Sequence, residues 1–376
     1  MQNGDETHPA NSGRLEGPER SLRLAPVAGN PRNSEGDFIQ LADGRWLLVY
    51  THFYGGESDH AAAYLAGRVS QDNGRTWSAY DTVVLPNEGT MNIMSVSLLR
   101  LADGRIALFY LRKQSLADCR PILRISEDEA QSWSEPIEIV PDTDAGYYVV
   151  NNDRVVQLGN GRLVVPAARH PNVRGELSGR GFAPYGEILC WLSDDGGATW
   201  FAGQEVLAEA RPDGIPVMLQ EPGVVPLADG RLMLFCRTDA GSQYLAFSGD
   251  GGVSWSPLRP SQIVSPLSPA SIKRIPATNH LLLVWNDHRN IAEPLRGKRT
   301  PLTVAVSENE GETWTYRRTL EDDPNGWYCY TAIAFVEAKT LEETTVLLAY
   351  CAGDSRGNRG LSTLQVTRVP ILWLYR

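Results

Sequence analysis

Ser193-Asp194-Asp195-Gly196-Gly197-Ala198-Thr199-Trp200 is one copy of a pattern that returns along this chain. It recurs as Ser70-Gln71-Asp72-Asn73-Gly74-Arg75-Thr76-Trp77 and as Ser248-Gly249-Asp250-Gly251-Gly252-Val253-Ser254-Trp255. Two worn copies keep the spacing: Ser126 to Trp133, with Ala130 in the glycine position, and Ser307 to Trp314, with Asn309 in the aspartate position. The Asp or Asn side chain accepts hydrogen bonds from turn amides, and the Gly supplies a positive φ. The closing Trp brings a large ring that needs burial. Each copy therefore reads as a tight hairpin turn pinned by one aromatic, a staple of the fold rather than a site of chemistry.

A second motif precedes four of the five turns: Leu41-Ala42-Asp43-Gly44-Arg45, Leu101-Ala102-Asp103-Gly104-Arg105, Leu158-Gly159-Asn160-Gly161-Arg162 and Leu227-Ala228-Asp229-Gly230-Arg231. Asp-Gly or Asn-Gly between apolar runs is a strong hairpin signal. The unit is thus strand, Asp-Gly hairpin, strand, variable loop, strand, Ser/Asp/Gly/Trp turn, strand. The turns start 55–67 residues apart, and a sixth unit without the turn fits after Trp314, with strands over Tyr328–Val336, Val346–Cys351 and Leu361–Val366. A repeat of this period with four strands predicts an all-β chain, a six-bladed β-propeller of four-stranded antiparallel blades. A β-helix or sandwich accommodates four strands per repeat less well. One propeller domain over 21–376 follows a tail, 1–20, expected to be disordered.

Composition narrows the function. The 35 Gly and 24 Pro of the 376 residues suit a turn-rich β protein, and a formal charge of −10 with no basic patch argues against nucleic acid. The five cysteines, with no CxxC or Cys/His pattern, read as buried free thiols, so neither a disulfide scaffold nor a metal or cofactor motif is expected. No run is long enough to span a membrane, and Met1 to Pro18 lacks the apolar core of a signal peptide. The expectation is a protein that stays inside the cell, or one whose export segment has been removed.

In an up-and-down blade the first and third connections lie at one end, where both repeated turns fall. The variable loops, His52–His60, Lys113–Cys119, Arg169–Tyr185, Arg237–Ser242 and Asn286–Arg299, lie at the other. Function is expected there, around the axis. Arg237 ends the second strand of unit four, and Arg299 begins the third strand of unit five. Two arginines aimed at one axis suit a carboxylate or phosphate. Asp59 lies in the first long loop, Glu221 opens unit four and Tyr330 opens unit six. Acids and a phenol at one end are what glycoside chemistry needs: a proton donor, and a nucleophile or charge stabiliser for an oxocarbenium-like transition state.

The turn motif resembles the Asp-box (BNR repeat) of the sialidase, or neuraminidase, superfamily, from about residue 25 to the end. The resemblance implies Asp59 as general acid/base, Tyr330 (before Thr331) as nucleophile, Glu221 as its base, and Arg237 with Arg299 as holders of a substrate carboxylate. One position departs. The family's first arginine opens the first unit, and here that segment reads Arg32-Asn33-Ser34-Glu35-Gly36-Asp37-Phe38. Glu35 or Ser34 falls near the arginine position and Arg32 lies a few residues early. Arg154 or Arg169 is then a candidate replacement, and Glu35 a candidate partner for a sugar hydroxyl. The implied function is an exo-glycosidase, a retaining hydrolase of a terminal acidic sugar, sialic acid foremost, on a sialoglycoconjugate. The alternatives are a glycosidase or lyase for a uronate-type glycan, with Arg169, His170, Arg174 and Arg180 in a long third-unit loop and His52, His170 or His288 moving protons, and a non-catalytic carbohydrate-binding propeller.

Overall fold

The computed structural model describes residues 17–171, 184–211 and 213–376. The chain forms β1 (Glu19–Leu24) and then six blades around one axis. Blade one holds β2 (Arg32–Gln40), β3 (Trp46–Phe53), β4 (Ala63–Ser70) and β5 (Thr82–Leu85). Blade two holds β6 (Asn92–Arg100), β7 (Ile106–Lys113), β8 (Cys119–Ser126) and β9 (Ile137–Glu138). Blade three holds β10 (Tyr147–Val149), β11 (Val156–Gln157), β12 (Leu163–His170), β13 (Glu187–Ser193) and β14 (Phe201–Ala202). Blade four holds β15 (Leu219–Pro226), β16 (Leu232–Thr238), β17 (Ser242–Ser248) and β18 (Arg259–Val264). Blade five holds β19 (Ser271–Arg274), β20 (Leu281–Trp285), β21 (Leu302–Ser307) and β22 (Thr315–Glu321). Blade six holds β23 (Gly326–Val336), β24 (Thr345–Asp354) and β25 (Leu364–Pro370).

The sixth blade takes its outer strand from the other end of the chain: β1 pairs antiparallel with β25, from Glu19 opposite Arg368 to Leu24 opposite Leu364. Joining the two ends of the chain in one sheet closes the ring without an added contact. Glu19 and Arg20, expected in the tail, therefore belong to the sheet, and residues 1–16 of that tail lie outside the described residues. Blade three also departs from the simple unit. Its inner strand is split into β10 and β11 around Asn151-Asn152-Asp153-Arg154, and both pieces pair with β12. A single parallel bridge, Tyr147 to Cys119, then joins blades two and three into one sheet.

Strand alternation builds the core between blades. Leu47 and Val49 of β3 pack with Val96 and Leu108 of blade two, while Leu48 and Tyr50 pack with Ala332 and Leu347 of blade six. The five cysteines are buried and free.

The repeated turns behave as read. Asp195 Oδ1 accepts from the Ser193 hydroxyl at 2.8 Å and the Thr199 amide at 2.9 Å, and Ser193 Oγ accepts from the Gly197 amide at 2.8 Å. Ala130 holds the glycine's left-handed conformation at φ 63°. The turns also stitch neighbouring blades: Glu129 accepts from the Ala42 amide, and Glu310 from the Ala228 amide at 2.8 Å.

At the inner edge of the blades the ladder is interrupted. Register shifts between Ser34 and Asp37, Met94 and Ser97, Gln220 and Gly223, and Cys329 and Ala332 mark bulges in β2, β6, β15 and β23. At these bulges Glu35, Ser95, Glu221 and Tyr330 have φ between 50° and 61°, and Asp153 in blade three has φ 55°. A bulge re-aims one side chain out of the strand's alternation. Here it turns Glu35, Ser95, Glu221 and Tyr330 toward a common cavity.

Candidate active site

The cavity, about 320 Å³, opens at the end opposite the Asp-containing turns, and its lining includes Glu35, Asp59, Lys113, Glu221, Arg237, Arg299 and Tyr330. That volume accommodates a monosaccharide-sized ligand. A second depression of about 610 Å³ shares Asp59, Arg299 and Leu361 with it and runs past Trp327 and Arg359.

One wall carries the phenol. The Tyr330 hydroxyl donates to Glu221 Oε1 at 3.0 Å, and Arg237 Nη1 donates to Glu221 Oε2 at 2.6 Å. Burial pushes the Glu221 carboxyl up, but the charges of Arg237 and Arg299 outweigh it and hold the group ionised. Burial and the neighbouring Glu221 charge push the Tyr330 phenol well above its usual range, so it keeps its proton at rest. Arg299 lies 5.3 Å from the Tyr330 ring centre and 5.4 Å from that of Trp327. Its Nε and Nη1 are buried with no partner among the described residues, as is Arg237 Nε. Desolvated N–H groups without acceptors are costly, and an anion satisfies them.

A second group of side chains is organised by Arg32, which is 1% exposed. It donates to Asp59 Oδ1 at 2.5 Å, to Glu35 Oε1 at 3.1 Å, to Ser34 Oγ at 3.0 Å and to the Glu57 carbonyl at 3.1 Å, and its guanidinium lies over Phe53 at 4.3 Å. Glu35 Oε2 accepts from the Ser95 hydroxyl at 2.9 Å. Burial, only partly offset by Arg32, pushes the Glu35 carboxyl up to about 7. Burial also raises Asp59, but the charge and hydrogen bond of Arg32, with Lys113 behind, draw it down to about 2. The Asp59 side chain is 55% exposed at the mouth. Its backbone carbonyl is anchored by Asn92 Nδ2 at 2.9 Å and by Lys113 Nζ at 2.7 Å.

The structure thus brings Asp59, Glu221, Tyr330, Arg237, Arg299 and Glu35 together, and leaves two expected residues elsewhere. Arg154 is buried in a different network, donating to the Ala270 carbonyl at 2.6 Å and to Ser271 Oγ at 3.2 Å. It ties blade three to blade five and does not line the cavity. Arg169 is exposed on β12 and pairs with Glu187 at 3.5 Å. Arg174 and Arg180 lie outside the described residues. His170 lines the cavity, whereas His52 hydrogen-bonds Asp81 at 3.0 Å and His288 Nε2 sits 3.2 Å from the Thr300 carbonyl, both away from it.

Several residues of the site were not singled out in the sequence. Arg32 is the first. Lys113 is the second, and its signal was available: it ends the second strand of blade two, close to the position Arg237 takes in blade four. Asn152 is the third. Its amide donates to the Gly36 carbonyl at 2.8 Å and the Tyr330 carbonyl at 3.1 Å, fastening the bulges of blades one and six.

A family model described as BNR repeat-like domain matches residues 83–341. A sialidase of Micromonospora viridifaciens is 26% identical over 344 residues, covering 84% of this chain and 50% of that protein. A sialidase of Paraclostridium sordellii is 28% identical over 243 residues, covering 57% of this chain and 55% of that one. The chain spans about half the length of these curated relatives. Among solved structures, a protein of unknown function from Dyadobacter fermentans matches with a TM-score of 0.69 at 16% identity, over 94% of this chain and 100% of that one. A leech intramolecular trans-sialidase matches with a TM-score of 0.68 at 16% identity, over 96% and 71%. Likeness at these structural identities is likeness of fold.

Proposed function

The chain belongs to the BNR repeat-like domain family, and from that premise we propose that it is a retaining exo-glycosidase acting on a terminal acidic sugar of the sialic acid class. The observation that carries this reading is the Tyr330–Glu221–Arg237 chain beside the unsatisfied N–H groups of Arg299. An ionised Glu221 takes the phenolic proton as Tyr330 attacks the anomeric carbon, because a phenol needs a base near neutral pH. A nucleophile that is neutral at rest avoids repulsion from the substrate carboxylate. Arg299, with Arg237 behind it, holds that carboxylate and leaves the sugar's anomeric carbon over Tyr330. The remaining carboxyl groups of the cavity, Asp59 and Glu35, share Arg32. Proton donation from this pair to the glycosidic oxygen completes a two-step retaining mechanism.

A fluorinated sialosyl fluoride, which forms the glycosyl-enzyme quickly and hydrolyses it slowly, tests the central step. The expected result is a covalent adduct on Tyr330 found by peptide mass spectrometry. An adduct on another residue, or none with an active enzyme, refutes it. A second reading has one observation in its favour. Arg32 is engaged by both Asp59 and Glu35, and Glu35 lines the cavity, which favours a sugar presenting a hydroxyl there, as a uronate does. A panel of sialosides and uronides assayed together separates the two.

A further inference from the structure

We propose that Glu35, rather than Asp59, carries the proton that reaches the departing glycosidic oxygen, and that Asp59 is a positioning residue acting through Arg32. The proposal rests on the glycosidase reading above and assigns its second carboxylate.

Two carboxylates compete for one buried guanidinium, and their surroundings differ. Asp59 receives the shortest of Arg32's bonds, at 2.5 Å, has a side chain 55% exposed, and has Lys113 and His60 beside it. Every charged neighbour that acts strongly on it favours its anion. Glu35 is 4% exposed and receives a longer bond from Arg32, at 3.1 Å. Charged or titratable groups face it from several elements: Arg32 on its own strand, Asp59 from the β3–β4 loop, Glu221 from β15, Cys351 from β24 and Tyr147 from β10. The Ser95 hydroxyl on β6 is its neutral partner. Two of those groups are anions at neutral pH against a single cation that Asp59 also uses. Burial adds to them, and the carboxyl is pushed up to about 7. A buried carboxyl beside an ionised one is the arrangement that separates an acid from its charge partner. Glu35 also projects into the cavity from a left-handed bulge, at φ 55°. Its place is therefore set by the β-sheet rather than by a loop.

The step balances with the residues present. The bond from the anomeric carbon to the glycosidic oxygen breaks, the electron pair stays on oxygen, and that oxygen takes the Glu35 proton. The Tyr330 oxygen bonds to the carbon while its own proton passes to Glu221. Water then attacks the carbon and gives a proton to the Glu35 carboxylate, while the bond from the carbon to the Tyr330 oxygen breaks, its electron pair stays on that oxygen, and Tyr330 recovers its proton from Glu221.

The test compares Glu35→Gln with Asp59→Asn on 4-methylumbelliferyl sialoside, which has a good leaving group, and on sialyllactose, which does not. Removing a general acid costs about 10²–10⁴-fold where the leaving group needs a proton. E35Q is expected to lose that factor on sialyllactose, to lose far less on the aryl sialoside, to respond to azide, and to lose the fall in rate above about pH 7. D59N is expected to slow both substrates alike and to keep that fall. The reverse pattern overturns the proposal while leaving the Tyr330 reading intact, and a wild type inert on every acidic glycoside overturns both. Difference infrared titration of the substrate-free protein reads Glu35 directly: a protonated carboxyl band at pH 6 that is missing from E35Q supports the assignment, and its absence from the wild type overturns it. Glu35→Asp keeps the carboxyl and serves the same comparisons if E35Q does not fold, with a shifted rather than absent limb.

Discussion

Tyr330 and Glu221 are joined by one 3.0 Å hydrogen bond, and the mechanism requires them to act as a unit. A double-mutant cycle on turnover measures whether they do. Glu221→Gln keeps the shape and an acceptor for the phenol, but it removes the proton acceptor at the moment of attack. Loss of a general base costs roughly 10²–10⁴-fold, or about 2.7–5.5 kcal/mol. Tyr330→Phe removes the attacking oxygen and is expected to cost at least as much. With Tyr330 gone, Glu221 has no proton to accept, so the double variant should be no slower than Tyr330→Phe alone. Independent contributions would instead multiply, adding roughly two to four further decades. The assay is kcat on an aryl sialoside under saturation. Misfolding is separable from loss of chemistry. The Arg237–Glu221 bond, at 2.6 Å, becomes a charge–neutral one in E221Q, which costs about 1–3 kcal/mol. At about 2.1 cal/mol/K per residue, unfolding 376 residues has an entropy of roughly 0.8 kcal/mol/K. The melting temperature of E221Q should therefore fall by only about 1–4 °C. Multiplicative losses in a folded double variant would refute the base–nucleophile relation.

Arg299→Lys replaces a fork with two unpartnered N–H groups by a single point charge, and kcat/KM for an acidic glycoside should fall about 10–100-fold; an unchanged value removes Arg299 from carboxylate binding. Gly197→Ala places a methyl 2.4 Å from Leu123 Cδ2 at φ +95°, and left-handed strain of about 1–2 kcal/mol plus overpacking of about 1–3 should lower the melting temperature with kcat unchanged; a lower kcat well below the melting transition would contradict a purely structural role for that turn. The Glu35 carboxyl, raised from 4.5 to about 7 on folding, binds its proton more tightly in the native state. Its contribution to stability is therefore complete below pH 4.5 and is lost as pH rises through about 7, at most about 3 kcal/mol. Denaturant midpoints should show the wild type losing stability relative to E35Q across that window, and parallel curves would mean that Glu35 is not raised.

Much of the fold was legible because its signals are local. Asp-Gly hairpins and Ser/Asp/Gly/Trp turns are decided by a few adjacent residues, so they mark strand ends, blade count and which end of the propeller is structural. What was not legible depends on pairing between distant segments. Nothing in Glu19–Leu24 identifies it as the outer strand of a blade 340 residues away, because an edge strand half exposed to solvent has weak alternation. Arg154 illustrates the same limit. An arginine near the axis reads as a ligand for an anion, and only the contact with Ala270 and Ser271 shows that its donors are used between blades. Arg32 lies too early on spacing alone, since a register shift between Ser34 and Asp37 changes which residues face the cavity and leaves no mark in the sequence.

The variable loops carry only part of the site. Asp59 and Arg299 do come from loops, but Glu35, Ser95, Glu221 and Tyr330 stand in strand bulges on the innermost strands. A non-glycine residue held at positive φ costs about 1–3 kcal/mol, and such strain persists only where the surroundings over-determine it. Here they do. The residues beyond each bulge return to the ladder, and Asn152 bonds the backbone of two bulges in different blades. The strain fixes the direction of the phenol, its base and the buried acid more tightly than a loop would. Preorganisation of that kind counts most for groups that must exchange protons over hydrogen-bond distances, and least for a residue that supplies only charge. Asp59 is the acidic group of the site that lies on a loop, opens to solvent and depends on one guanidinium for its place. That division of geometry matches a division of labour in which the bulges hold the reacting atoms and the loop supplies the field.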